Sequence, residues 1–145
     1  MNVERVFLDA NVIVYAHDTT EPVKRTTAME ILRAGWHSVI PPSLSIQVLQ
    51  EVHVTLLRKG VAAEDSIQAV CAFLHWNVVE NRKGLFVDAL DVQQRHQLSF
   101  WDASIVAAAK AAGALELWSE DFQDGRDYDG VLVRNPFGGA ARRDG

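Results

Sequence analysis

The sequence predicts an α/β domain built on a mainly parallel sheet that is covered on both faces. Three observations carry this. Apolar runs such as VFLD (6–9) and LELW (115–118) have the length and composition of buried strands. They alternate with longer segments of helical period, the order that yields parallel sheets flanked by helices. The 145 residues, 48% hydrophobic and 23% charged, suffice for one domain with its own core.

Residues 6–9 read as the first strand. Residues 22–34 read as a helix that opens on Pro22 and stops at Gly35. HSVIPP (37–42) then reads as a short strand ended by two prolines. Residues 43–60 form a longer helix with Ser43 or Ser45 as cap, Arg58 and Lys59 at its C-terminus, and Gly60 as the stop. A helix over 62–76, a strand over 77–80 and two helices over 85–97 and 100–113 follow. Strands over 115–118 and 130–135 close the series. Residues 1–137 are read as one domain and 138–145, which lack apolar periodicity, as a flexible tail.

The bulk numbers exclude several classes. Cys71 is the one cysteine, so neither an internal disulfide nor a cysteine zinc site is available, which fits a reducing cytoplasm. The N-terminus lacks a basic, then apolar, leader pattern, and no run has the length to span a bilayer. A net charge of −5 argues against bulk electrostatic gripping of nucleic acid, so a polyanionic substrate needs a local basic patch or metal ions.

Within this frame four carboxylates stand in awkward places. In VFLDANVIVYAHD, Asp9 follows a buried strand directly, and a buried carboxylate is expensive unless paired. An Asx turn or helix cap is the bland account; Asn11 suits that job better, which leaves Asp9 favoured as functional. Glu51 sits at the edge of the stripe Val48, Val52 and Leu56, where a boundary glutamate is an adequate reading. In LSFWDASIVAAA, Ser99 is a candidate N-cap and Asp102 the third helical residue, as in a capping box. Yet Asp102 also heads the apolar stripe Ile105, Val106 and Ala109, so both readings stay open. Asp121, in LWSEDFQDG, follows a strand and passes equally for a turn former. Gathered at one rim, the four would repel and hold protons unless cations sat among them. An oxygen-only set suits Mg²⁺ or Mn²⁺.

Taken together, FLDANVIVYA, the QEV around Glu51, SFWDASIVAAA and SEDFQDG followed by GVLVRNPF resemble a PIN-domain ribonuclease, specifically the VapC-type toxin of a bacterial toxin–antitoxin pair. The resemblance runs from about Val6 to Phe137. It implies a three-layer α/β/α sandwich with an acidic pocket at the carboxyl edge of its sheet. It puts the four acidic positions on Asp9, Glu51, Asp102 and Asp121, with metal on Asp9, Asp102 and Asp121 and polar support from Asn11 and Ser119. It further implies RNA cleavage with Mg²⁺ or Mn²⁺, a homodimer, and a small antitoxin partner that also binds operator DNA.

Basic candidates for backbone contacts are scattered: Lys24, Arg25, Arg58, Lys59, Arg82 and Lys83. Glu120, Asp124, Asp127 and Asp129 compete with Asp121 for the fourth acidic place. Trp36, Trp76, Trp101 and Trp118 are candidates for base stacking, for core packing or for dimer contacts. A haloacid dehalogenase-type phosphatase needs a second aspartate where Asn11 stands, and a non-catalytic interaction module of the same fold would not need all four acids. No phosphate-binding loop, dinucleotide fingerprint or zinc-protease pattern occurs.

Overall fold

Strand β1 (Val6–Leu8) is buried at all three positions and lies at the centre of the sheet. In this computed structural model, which describes residues 1–138, the chain continues through α1 (Ala10–Tyr15) and α2 (Pro22–His37) to β2 (Ser43–Ser45). It passes through α3 (Ile46–Arg58) and α4 (Ala63–Phe73) to β3 (Asn77–Val79), then through α5 (Lys83–His96) and α6 (Phe100–Ala111) to β4 (Glu116–Trp118). β5 (Asp127–Tyr128) and β6 (Val131–Arg134) complete it. All but one residue of the segment read as a flexible tail lie outside the described residues.

Among the described residues the strands form one sheet in the order β3-β2-β1-β4-β6-β5, parallel except where β5 runs against β6. The chain steps outward from β1 to β2 to β3, then returns to the far side of β1 for β4. Crossovers of one hand taken in opposite directions put their helices on opposite faces. So α1 to α4 cover one face and α5 with α6 the other, the three-layer α/β/α arrangement expected from the sequence. Phe7, Leu8, Ile13, Leu44, Val48, Val52 and Leu117 fill the space around the sheet and are fully buried or nearly so. Each such side chain contributes about 1.5–3 kcal/mol on burial. Helix α6 is buried from Ala103 through Ala109, which is why its sequence is apolar almost all round.

Several sequence expectations need correction. Gly35 does not stop α2, which continues to His37. A Cβ at Gly35 would stand 2.6 Å from the Trp76 ring, so the glycine is there for close packing beneath the Trp36–Phe73–Trp76 cluster. The strand expected over 37–42 is absent; Val39 and Ile40 are exposed, and pairing starts only after the two prolines, at Ser43. The helix expected from 43 therefore starts at Ile46, capped by Ser45, whose Oγ accepts from the Val48 N–H at 3.2 Å. Two elements were not anticipated. Helix α1 follows β1 after a single residue, and β5 joins β6 through Asp129 and Gly130, both at positive φ, as a tight hairpin requires. Arg95 and Lys110 hold that turn through Asp129, at 2.7 and 2.9 Å.

Gly35→Ala should lower stability by about 1–3 kcal/mol through overpacking. Chemical denaturation checks this. A gain in stability, as alanine's helix propensity alone would give, would mean that Trp76 yields freely.

Candidate active site

The order in which strands are added to the sheet reverses between β1 and β4, and open parallel sheets bind ligands at such a switch point, outside the strands' carboxyl ends. Leu8 pairs with Trp118, and the Asp9 N–H donates to the Trp118 carbonyl at 3.1 Å. The residues after both strands, Asp9 on one side and Ser119 to Asp121 on the other, therefore emerge side by side.

Asp9 is only 5% exposed. One carboxylate oxygen accepts from the Ala10 N–H at 2.8 Å and the other from the Ser119 hydroxyl at 2.7 Å. Asp9 is thus the N-cap of α1, with extended φ and ψ of −78° and 164°. The sequence reading gave that role to Asn11, but β1 ends so close to α1 that Asn11 is already helical. Its side chain is free to reach across: Nδ2 donates to Ser119 Oγ at 3.1 Å and to Asp121 Oδ2 at 3.2 Å. Ser119 Oγ also accepts from the Asp121 N–H at 3.0 Å, so its hydroxyl makes one donated and two accepted bonds, its full capacity.

Glu51, half-buried on α3, accepts from Gln47 Nε2 at 3.1 Å one turn earlier. Asp102 lies in the first turn of α6, half-buried, with its N–H donating to Ser99 Oγ at 3.1 Å. The capping geometry expected for Ser99 is present, and it leaves the Asp102 carboxylate unengaged by that bond.

Burial pushes the Asp9 carboxyl up to about 6. The bonds from Ser119 and Ala10 oppose this, while the charges of Glu51 and Asp121 add to it. Burial likewise raises Asp102, opposed by Ser99 and reinforced by Asp121. Asp121 acts on both other aspartates and Glu51 acts on Asp9, so three charge–charge contacts link the four acids in series. Among the described residues none of the four has a lysine or arginine at ion-pair distance. Their neighbours do: Glu120 pairs with Lys24 at 3.0 Å and Asp18 with Lys59 at 3.3 Å.

That contrast separates Asp121 from its rivals. Glu120 turns to Lys24 and accepts from the Tyr15 hydroxyl. Asp124 and Asp127 accept from the backbone N–H groups of Asn135 and Gly130. Of these acids only Asp121 turns its carboxylate to Asn11, whose Oδ1 accepts from the Glu120 N–H at 3.4 Å. A cleft of about 560 Å³ opens here, walled by Asn11, Tyr15, Glu51, Arg58, Lys59 and Asp121; Asp9 and Asp102 are not on its walls. Sequence reasoning did not single out Tyr15 or Gln47. Each lies four residues from a named site residue on the same helix, Asn11 and Glu51, and that spacing was the available signal.

Among the described residues no three His, Cys, Asp or Glu side chains stand close enough together to hold a metal ion. The donor set nonetheless fits a hard cation: oxygen only, anionic, without protein cations, and with one member buried at a raised pKa. A looser set of this kind suits an ion that keeps several of its waters, as Mg²⁺ does.

The PIN domain family profile matches residues 6–123, and the chain belongs to that family. No curated protein matches it as a relative. Among solved structures it is similar to a toxin–antitoxin complex from Klebsiella pneumoniae, with TM-score 0.66 and 19% identity over 91% of this chain and 98% of that one. Similar too are Mycobacterium tuberculosis VapC20, a toxin cleaving the sarcin–ricin loop (0.63, 19%, 77% and 86%), and the DNA-bound VapBC of Salmonella typhimurium (0.63, 14%, 91% and 98%). At such identities the likeness is one of fold.

The raised Asp9 pKa has a stability consequence in EDTA. The folded chain holds a proton that the unfolded chain releases between the ordinary value of 3.8 and about 6. Stability therefore falls as pH rises through that window, by on the order of 3 kcal/mol from this group. Asp9→Asn should remove that fall and raise Tm by about 6–12 °C at pH 7. Denaturation of both proteins between pH 4 and 7 checks it; a constant difference at every pH would contradict it.

Proposed function

We propose that this protein is a metal-dependent endoribonuclease, the toxin of a VapC-type toxin–antitoxin pair. The observation that carries the reading is the group of four carboxylates, Asp9, Glu51, Asp102 and Asp121, around a switch point with no protein cation to neutralise them, in a chain of the PIN family. The RNA-cleaving and antitoxin-bound proteins of similar fold support it.

In this reading Asp9, Asp102 and Asp121 hold Mg²⁺ or Mn²⁺, and Glu51 completes the acidic wall. The ion, when bound, polarises the scissile phosphodiester and lowers the pKa of the attacking water. The chain's own contribution is position. Ser119 and the Ala10 N–H fix both oxygens of Asp9, and Asn11 ties Asp121 to the same hydroxyl. Arg58, on the cleft wall, brings positive charge to an RNA backbone that the acidic protein would otherwise repel. Asn11 is engaged as a brace, which leaves a dehalogenase-type acid–base role without support.

The partners of this reading are RNA, a small antitoxin protein and a second copy of the chain, acting in the cytoplasm. No helix among the described residues is long and apolar enough to cross a membrane.

Purified protein incubated with a mixed RNA pool should cut it with Mg²⁺ or Mn²⁺ and not with EDTA. Asp102→Asn and Asp121→Asn should abolish cutting, Glu120→Gln should keep it, and Asn11→Ala should slow it by about 10–100-fold, as loss of a ligand-orienting partner does. No cutting by well-folded protein would favour a binding-only module. Equal cutting by all variants would place the activity in a contaminant.

A further inference from the structure

Beside the acidic rim lies a second recess of about 220 Å³ that the proposed chemistry does not use. Its walls include Phe86, Phe100 and Trp101, with Gln47, Gln50 and Arg82 around them. Trp101 is 66% exposed and Phe86 55%, unusual for large aromatics outside a binding surface. Phe100 meets both edge-on, at centroid distances of 5.7 Å to Phe86 and 5.3 Å to Trp101, so the three rings form one row.

The recess is joined to the acidic rim. Trp101 is the chain neighbour of Asp102. Gln47 Nε2 donates to Glu51 at 3.1 Å and to the Trp101 carbonyl at 3.3 Å, bridging the two sites. Gln50 lines both the recess and the main cleft.

We propose that this recess is a stacking subsite for one unpaired base of a single-stranded RNA whose backbone lies along the acidic rim. The proposal rests on the ribonuclease reading of that rim. An exposed indole beside two phenyl rings offers a face to any base, since every base has a π-surface. Gln50 carries an amide group suited to a base edge, Gln47 adds its Oε1 as an acceptor while its Nε2 stays on Glu51 and Trp101, and Arg82 brings a positive charge for the adjoining phosphate. A purely apolar protein surface seated here would cover the Gln50 amide and the Arg82 guanidinium without offering them partners. A base supplies both the flat face and the polar edge.

The test reads binding apart from cleavage. Protein labelled with 5-fluorotryptophan is titrated in EDTA with a mixed-sequence single-stranded RNA octamer, and the Trp101 ¹⁹F signal is assigned by its loss in Trp101→Phe. The octamer should move that signal, and an abasic octamer of equal length should not. Trp101→Ala should weaken octamer binding about tenfold, and Trp101→Phe, which keeps an aromatic face, should restore most of it. Octamer binding that leaves the Trp101 signal unmoved, or an equal shift with the abasic chain, overturns the proposal. A shift that follows protein concentration without RNA also overturns it, and makes the face a contact between copies. Cleavage of the RNA pool with Mg²⁺ is scored separately. Cutting with a silent Trp101 sinks the subsite alone; a responding Trp101 without cutting upholds base binding and sinks the ribonuclease reading.

Discussion

A carboxylate buried at the end of a central strand must be held by something, and here Ser119 and the first turn of α1 hold Asp9. Those contacts exist because β1 and β4 lie side by side in parallel, with Leu8 opposite Trp118. The pairing sets Asp9 against Ser119, and through Ser119 it sets Asn11 and Asp121. Two hydrogen bonds offset only part of what burying a charge costs, so the carboxyl remains well above its ordinary range. The residual penalty is a standing preference for a proton or a cation at this point of the fold.

The placement of the other charges follows the same logic. The chain carries a net charge of −5, yet the lysines and arginines that form ion pairs among the described residues do so with Glu120, Asp18, Asp91, Asp129 and Glu116 and with none of the four acids. The pairs at Asp129 pin the β5–β6 turn to α5 and α6, and such exposed pairs contribute little stability each. Lys24 ties Glu120 to Tyr15 and so keeps the loop after β4 in one orientation, with Asp121 directed to Asn11. One acid of the adjacent pair is neutralised and the other is left free.

Much of this was legible in the sequence, for reasons that particular residues show. The alternation of short apolar runs with helical segments sufficed for the sheet, because parallel strands buried on both faces have few other ways to read. Ser99 and Asp102 were legible because a cap and its third-position partner are local. The misreadings all depend on distant neighbours. Gly35 read as a helix stop because Trp76, which occupies the space above it, is far along the chain. Val39 and Ile40 read as a strand because apolar residues beside prolines look buried until the sheet is seen to start at Ser43. The cap read as Asn11 but belongs to Asp9, because a single residue separates β1 from α1. β5 is two residues long and is defined only by its partner, β6. The identity of the fourth acid was open for the same reason, since only Lys24 and Asn11 distinguish Glu120 from Asp121.

The central proposal is a single cation site assembled around Asp9, held by Asp9, Asp102 and Asp121 with Glu51 on its wall. Binding of Mn²⁺ to the protein alone, followed by electron paramagnetic resonance of the free ion, tests it most directly. The account predicts saturable uptake by the wild type, lost in Asp9→Asn and Asp121→Asn and kept in Glu120→Gln. Equal uptake by all four proteins, or none by the folded wild type, would contradict it.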